Sequence, residues 1–165
     1  MIITTSATQI APQGEFLLTL DVKNQNYTIY KTEVNQLQIV DEKNSEIKPK
    51  EFLFSEKLQS GETISIPFNT WSPDNKYFFL KRSSLNTTEF LVFKATGESF
   101  SETPYLNITE LFLKREFPYK IKDVTGWASN AYAVVQTINP ETMQNGPSYW
   151  FNVYNGGFIQ LSSSF

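Results

Sequence analysis

An all-β chain, forming a sandwich, a barrel or a propeller, is what this sequence predicts, and three observations carry the prediction. The 165 residues are 40% hydrophobic, 15% aromatic and 19% charged, and the aromatics are 14 Phe, 8 Tyr and 3 Trp. That balance suits one globular domain over 1–165 with strand-forming side chains. Second, short apolar or alternating runs recur at a spacing of about 8–12 residues, each closed by turn-forming residues. Third, the chain repeats itself.

The runs can be taken in order. Phe16-Leu17-Leu18-Thr19-Leu20-Asp21, Tyr27-Thr28-Ile29-Tyr30 and Leu37-Gln38-Ile39-Val40 are short apolar or alternating segments bounded by Asn, Gln, Asp or Gly, as in a meander. Thr63-Ile64-Ser65-Ile66-Pro67-Phe68 alternates with period two. Tyr77 to Lys81, Glu89 to Lys94, Ile121 to Thr125, Tyr132 to Ile138, Ser148 to Tyr154 and Phe158 to Leu161 complete the strands. Two segments are predicted as short helices or extended linkers. Pro49 to Leu58 has proline at a plausible first turn, and Asn107 to Glu116 opens on an Asn or Thr cap and closes before Pro118.

The repeat centres on an anchor, a tight turn and a strand. Trp71-Ser72-Pro73-Asp74-Asn75-Lys76-Tyr77-Phe78-Phe79-Leu80-Lys81 recurs as Trp127-Ala128-Ser129-Asn130-Ala131-Tyr132-Ala133-Val134-Val135-Gln136, one residue shorter. An earlier copy is Ile10-Ala11-Pro12-Gln13-Gly14-Glu15-Phe16-Leu17-Leu18-Thr19-Leu20. Each anchor is followed by a strand, a turn and a second strand with an aromatic pair: Tyr27 and Tyr30, Phe90 and Phe93, Tyr149 and Phe151. In Ser-Pro-Asp-Asn, proline presets φ while Asp and Asn accept local hydrogen bonds. The apolar run that follows reads as a strand packed on both faces, so the units stack side by side.

Trp71-Ser72-Pro73-Asp74-Asn75-Lys76-Tyr77 resembles the W-S-P-D-G-K-Y core of the WD40-like, TolB-type β-propeller repeat, with Asn75 where Gly is usual. Asn tolerates a left-handed turn position, so the exchange is mild. Ala11 to Phe16 resembles the same core without its Asp. The third copy keeps Trp127 and Ser129-Asn130 but lacks the Pro and Lys. The resemblance spans nearly the whole chain and implies about three blades of four antiparallel strands, drawn over 1–47, 48–108 and 109–165. First strands fall at Ile2 to Thr5, Ile64 to Phe68 and Ile121 to Thr125. Last strands fall at Leu37 to Val40, around Tyr105 to Ile108, and at Phe158 to Leu161. Three blades make an incomplete ring, since propellers usually close with about four to eight. Self-association, or membership of a larger parent propeller, follows as the expected partnership; a β-sandwich or barrel is the alternative architecture.

Composition narrows the chemistry. Without His or Cys the chain builds no Ser-His-Asp triad, Cys-His dyad or Cys/His zinc site. Its net charge of −3, with Lys and Arg scattered and pairs such as Lys81-Arg82 and Lys114-Arg115 soon followed by Glu, predicts a solvated mixed-charge surface and no nucleic-acid partner. No apolar run approaches a membrane span, and Met1-Ile2-Ile3-Thr4-Thr5 lacks the basic start of a signal peptide. A cytoplasmic protein and an excised piece of an exported one are both compatible with that, and compartment stays open. The sequons at Asn26, Asn86 and Asn107 match the about two or three that chance supplies in a chain rich in Asn, Ser and Thr.

The leading functional expectation is a non-catalytic binding or scaffold module with no cofactor. Trp150, beside Tyr149 and Phe151, is its best candidate contact, although period two also lets a strand buried on both faces explain the cluster. Trp71 and Trp127 read as anchors between blades. A carboxylate-only enzyme such as a glycosidase needs two acids about 5–10 Å apart. Most acids sit in turns or helix starts (Asp41-Glu42, Glu46, Asp74, Glu141), which leaves Asp21 and Asp123 as the pair to examine. Asp21, Asn24 and Asn26 offer alternate oxygens for calcium, but without a second acid they read better as a hairpin turn. No catalytic or metal residue is assigned. The family resemblance also allows a recognition or gating role for a larger hydrolase, because TolB-like propellers occur beside hydrolase domains in prolyl-peptidase-type enzymes.

Overall fold

The computed structural model describes residues 4–34 and 51–162. They form three four-stranded antiparallel meanders, each a blade of the β-propeller type. Sheet 1 contains β1 (Thr4–Ile10), β2 (Phe16–Lys23), β3 (Asn26–Glu33) and β4 (Glu51–Lys57). Sheet 2 contains β5 (Thr63–Ser65), β6 (Tyr77–Ser83), β7 (Thr88–Lys94) and β8 (Leu106–Asn107). After α1 (Ile108–Leu113), sheet 3 contains β9 (Lys120–Trp127), β10 (Tyr132–Ile138), β11 (Tyr149–Asn152) and β12 (Phe158–Gln160). A sandwich or barrel, which strand spacing equally allowed, is not what forms. Among the described residues no helix is long and apolar enough to cross a membrane.

One strand departs from the sequence reading. The segment 49–58, expected as a helix or linker, supplies β4, paired to β3 from Asn26↔Lys57 to Lys31↔Glu51. A helix of that length is marginal alone, whereas the edge of β3 offers a full ladder and a site for Leu53, 6% exposed. Sheet 1 therefore takes its fourth strand from the unit drawn over 48–108, and the sheets divide at 57/63 and 107/120. The strand expected at Leu37 to Val40 lies outside the described residues. Of the two readings open for Asn107 to Glu116, a short helix or an extended linker, the helix forms, as α1. The Asn107 side chain caps it by accepting the Glu110 amide at 3.1 Å.

Sheet 2 is packed on both faces, and this sets its composition. Phe78 and Leu80 of β6, with Leu91 and Phe93 of β7, join Leu18, Leu20, Tyr27 and Ile29 in the core between sheets 1 and 2. Phe79, Phe90 and Val92 point the other way and meet Ala133, Val135, Tyr149 and Phe151 of sheet 3. Successive side chains of a strand alternate faces, so a central sheet needs apolar residues at every position. The outer sheets are covered on one face only: β10 alternates buried and half-buried residues without exception.

The anchor turn follows the chemistry of its residues. Ser72 Oγ donates to Asp74 Oδ1 at 2.8 Å and accepts the Tyr77 amide at 3.0 Å. Asp74 Oδ1 also accepts the Lys76 amide at 3.2 Å. Asn75 has φ 61°, the left-handed position where the repeat usually has Gly, and its buried Oδ1 has no hydrogen-bond partner. Asn75→Gly is expected to be neutral or to stabilise by up to about 1 kcal/mol, since it relieves both the backbone strain and the orphan oxygen. Asn75→Ala removes the oxygen but not the strain, and is expected to cost about 1 kcal/mol. Urea denaturation of the two variants checks the order.

Candidate functional site: the anchor-end groove and the outer sheet faces

The anchors tie each sheet to the one before it. Trp71 Nε1 donates to the Gln9 carbonyl at 3.3 Å, and Trp127 Nε1 donates to the Thr70 carbonyl at 3.0 Å. Gln9 and Thr70 each directly precede the anchor of the preceding unit (Ile10 and Trp71), so the two bonds are repeat equivalents. Asn69 Nδ2 adds a second tie, to the Thr125 carbonyl at 3.1 Å. Gly126 makes room for it: at φ 150°, a Cβ there would stand 3.0 Å from the Asn69 Cβ.

Where the three anchors converge, a groove of ≈ 720 Å³ opens, lined by residues of all three units, among them Ile10, Phe68, Asn69, Trp71, Gly126 and Trp127. Phe68 is 82% exposed and Ile10 51%, so both stand at its rim and give it an apolar, aromatic edge. Among the described residues no ionisable side chain lines it. Phe68 was expected inside a strand, but β5 ends at Ser65. Pro67 is the signal that could have shown this, because it withdraws a ladder donor one residue earlier.

The two end faces also expose apolar side chains. On the outer face of sheet 1, Ile10 stands opposite Leu17, and Tyr30 opposite Phe52, with Thr8 and Thr19 in the same row. Phe52 is 61% exposed. On the outer face of sheet 3, Val134, Trp150 and Ile159 form one row, and Trp150 touches Tyr132 at 5.6 Å between ring centroids. Tyr149 and Phe151 are buried against sheet 2, so period two placed this strand correctly. Trp150, by contrast, stays half-buried on the face that none of the described sheets covers.

The structure does not bring the two candidate acids together. Asp21 lies on the outer face of sheet 1, accepting Ser6 Oγ at 2.6 Å. Asp123 lies on the outer face of sheet 3 opposite Gln136, accepting its neighbour Val124's amide at 2.9 Å. All of sheet 2 stands between them. Asn24 and Gln25, at φ 51° and 63°, form the two-residue hairpin between β2 and β3. Asn26 Nδ2 donates to the Asn24 carbonyl at 3.4 Å, the local bonding of a hairpin turn.

A polar cluster that the sequence reading left on the surface ties sheets 1 and 2 at the opposite end. Arg82, with a side chain 15% exposed, meets Glu89 at 2.8 Å and Glu56 at 3.3 Å. Tyr27 and Tyr105 donate to Glu56 Oε2 at 2.9 and 3.1 Å, and Asn107 Nδ2 donates to Glu89 Oε1 at 2.9 Å. The signal was present: at period two, Arg82 follows Phe78 and Leu80 onto the buried face. Burial, then the charge of Glu56, pushes the Tyr27 hydroxyl well above the ordinary tyrosine range. The folded state holds that proton after the unfolded chain has released it. Stability is therefore complete below about pH 10 and is expected to fall above it, by up to about 1.4 kcal/mol per pH unit for this one proton. Tyr27→Phe should flatten the alkaline limb of a stability-versus-pH curve.

Comparison with solved structures places this architecture. TolB of Acinetobacter baumannii matches 99% of the chain at TM-score 0.52 and 12% identity. A protein assigned as TolB in Agrobacterium tumefaciens matches 94% at TM-score 0.50 and 12% identity. The fold is the β-propeller type. The chain spans 34% and 48% of those two proteins' lengths, respectively. Oligopeptidase B of Leishmania major matches 98% of this chain and 20% of its own at 9% identity, with a slighter TM-score of 0.48. No protein-family model and no curated protein sequence matches the chain.

Proposed function

We propose that this chain is a non-catalytic binding or scaffold module of the β-propeller type, and that the anchor-end groove takes an apolar segment of a partner protein. The observation that carries this is the groove itself. It is built by all three units, edged by the exposed ring of Phe68, and, among the described residues, lined by no ionisable group. An uncharged concave surface suits apolar recognition, not proton transfer. The TolB-type neighbours support an interaction role by fold analogy. The outer sheet faces add a second contact surface, for another copy or for further blades of a longer propeller. A module of this kind also suits recognition or gating within a larger hydrolase.

Selection from a displayed random-peptide library tests the groove. Apolar peptides are expected to be enriched and to change the fluorescence of Trp71 and Trp127. Phe68→Asp is expected to weaken them about tenfold or more. Phe68 is 82% exposed, so the variant should keep its fold. Selected peptides that bind the variant as well as the parent would rule the groove out.

A further inference from the structure

The contact of sheet 1 with sheet 2 and that of sheet 2 with sheet 3 are the same contact made twice. Each packs the later face of one sheet on the earlier face of the next. Each is latched by an anchor indole on the carbonyl that precedes the previous anchor. The series stops with one half-contact at each end. Sheet 3 presents the row Val134, Trp150 and Ile159, and Gly126 precedes Trp127 as Thr70 precedes Trp71, so by the repeat its carbonyl is the one the next anchor would reach. Sheet 1 presents Ile10, Leu17, Tyr30 and Phe52. Ile10, Phe52 and Ile159 are 51%, 61% and 47% exposed, so both faces carry large apolar side chains in water.

We propose that a second copy of this chain fills both half-contacts at once, sheet 3 of each copy packing on sheet 1 of the other. The occupant is argued from continuity. Later face on earlier face is the polarity both internal contacts already use, and a head-to-tail contact closes when its rotation does. Two arcs of three sheets make six, within the range in which propellers close. One element of the internal contact is missing: Ile10 stands where Trp71 and Trp127 stand, so no indole reaches the Gly126 carbonyl of the partner copy. The junction between copies is therefore weaker than the junctions within one. This proposal deepens the reading of the chain as an interaction module; Ile10 and Val134 border both the groove and the end faces, so the two readings are separated at residues of one surface only, Phe68 for the groove and Phe52 and Ile159 for the junction.

The experiment is absolute mass by light scattering over a wide concentration range, on the parent and four variants whose fold is checked by circular dichroism. The parent is expected to approach 38 kDa, twice 19.0 kDa. Phe52→Lys on sheet 1 and Ile159→Lys on sheet 3 are each expected to return it to monomer. Ile10→Trp restores the missing donor and should tighten the dimer about five- to tenfold, with Ile10→Phe, apolar but without the N–H, gaining less. A parent that stays monomeric at every concentration overturns the proposal. So does a dimer broken by only one of the two lysines, which would join like faces, or by neither, or one that Ile10→Trp tightens no more than Ile10→Phe.

Discussion

Truncating Phe79 to alanine is expected to release sheet 3, and truncating Phe78 to release sheet 1, although the two rings are neighbours on β6. Both are fully buried, but Phe79 belongs to the core shared with sheet 3 and Phe78 to the core shared with sheet 1. Phe78 also stacks on Phe93 at 5.4 Å and 10°. Each truncation should cost about 3–5 kcal/mol, a large share of the about 5–15 kcal/mol that holds a typical domain folded. In a stack where each sheet touches only its neighbours, that loss falls on one interface. Hydrogen exchange reads the difference. Phe79→Ala should speed exchange at Ala133 and Val135 while Leu18 and Leu20 stay protected, and Phe78→Ala should do the reverse. Equal loss of protection in all three sheets would mean they fold as one cooperative unit.

Arg82→Ala is expected to be the most costly change among the polar residues. It leaves Glu56 and Glu89 facing one another across the junction of sheets 1 and 2 without their shared cation. A fully buried pair broken this way costs about 3–5 kcal/mol. Here the Glu56 side chain is 35% exposed, so solvent screening reduces the expectation to about 2 kcal/mol. Replacing Arg82 by Met together with Glu56→Gln and Glu89→Gln should recover most of that loss, because no uncompensated charge remains. Urea denaturation of the single and triple variants measures it. A single variant within about 0.5 kcal/mol of the parent would make the cluster a surface feature.

Much of the fold was legible because its signals are local. The Ser72-Pro73-Asp74-Asn75 turn is written in side chains that bond their own backbone, and the left-handed residue falls at Asn75 as the repeat required. The two-face packing of sheet 2 was legible in the unbroken apolar run of β6. The edge strand β4 was not. The ladder of β3 settles the conformation of residues 51–57, and that ladder comes from residues twenty or more positions away. Of the candidate site, Trp150 was named as a contact, but a strand buried on both faces was the better reading of its cluster, and Trp150 is half-buried on the outer face of sheet 3.

The sequence alone determined the all-β class, the repeating anchor, turn and strand, and the faces of β6 and β11. These follow from the period of two and from turn chemistry that acts within a few residues. The sequence also marked the strand after every anchor as packed on both faces, whereas β10 of an outer sheet is covered on one. Only the tertiary structure decided which faces meet. It placed Asp21 and Asp123 at opposite ends of the stack, drew Arg82 between two glutamates, and left Phe68, Phe52 and Ile159 in water. Burial and partnership belong to pairs of sheets brought together by packing, and a pattern read along one chain carries no distance between its strands.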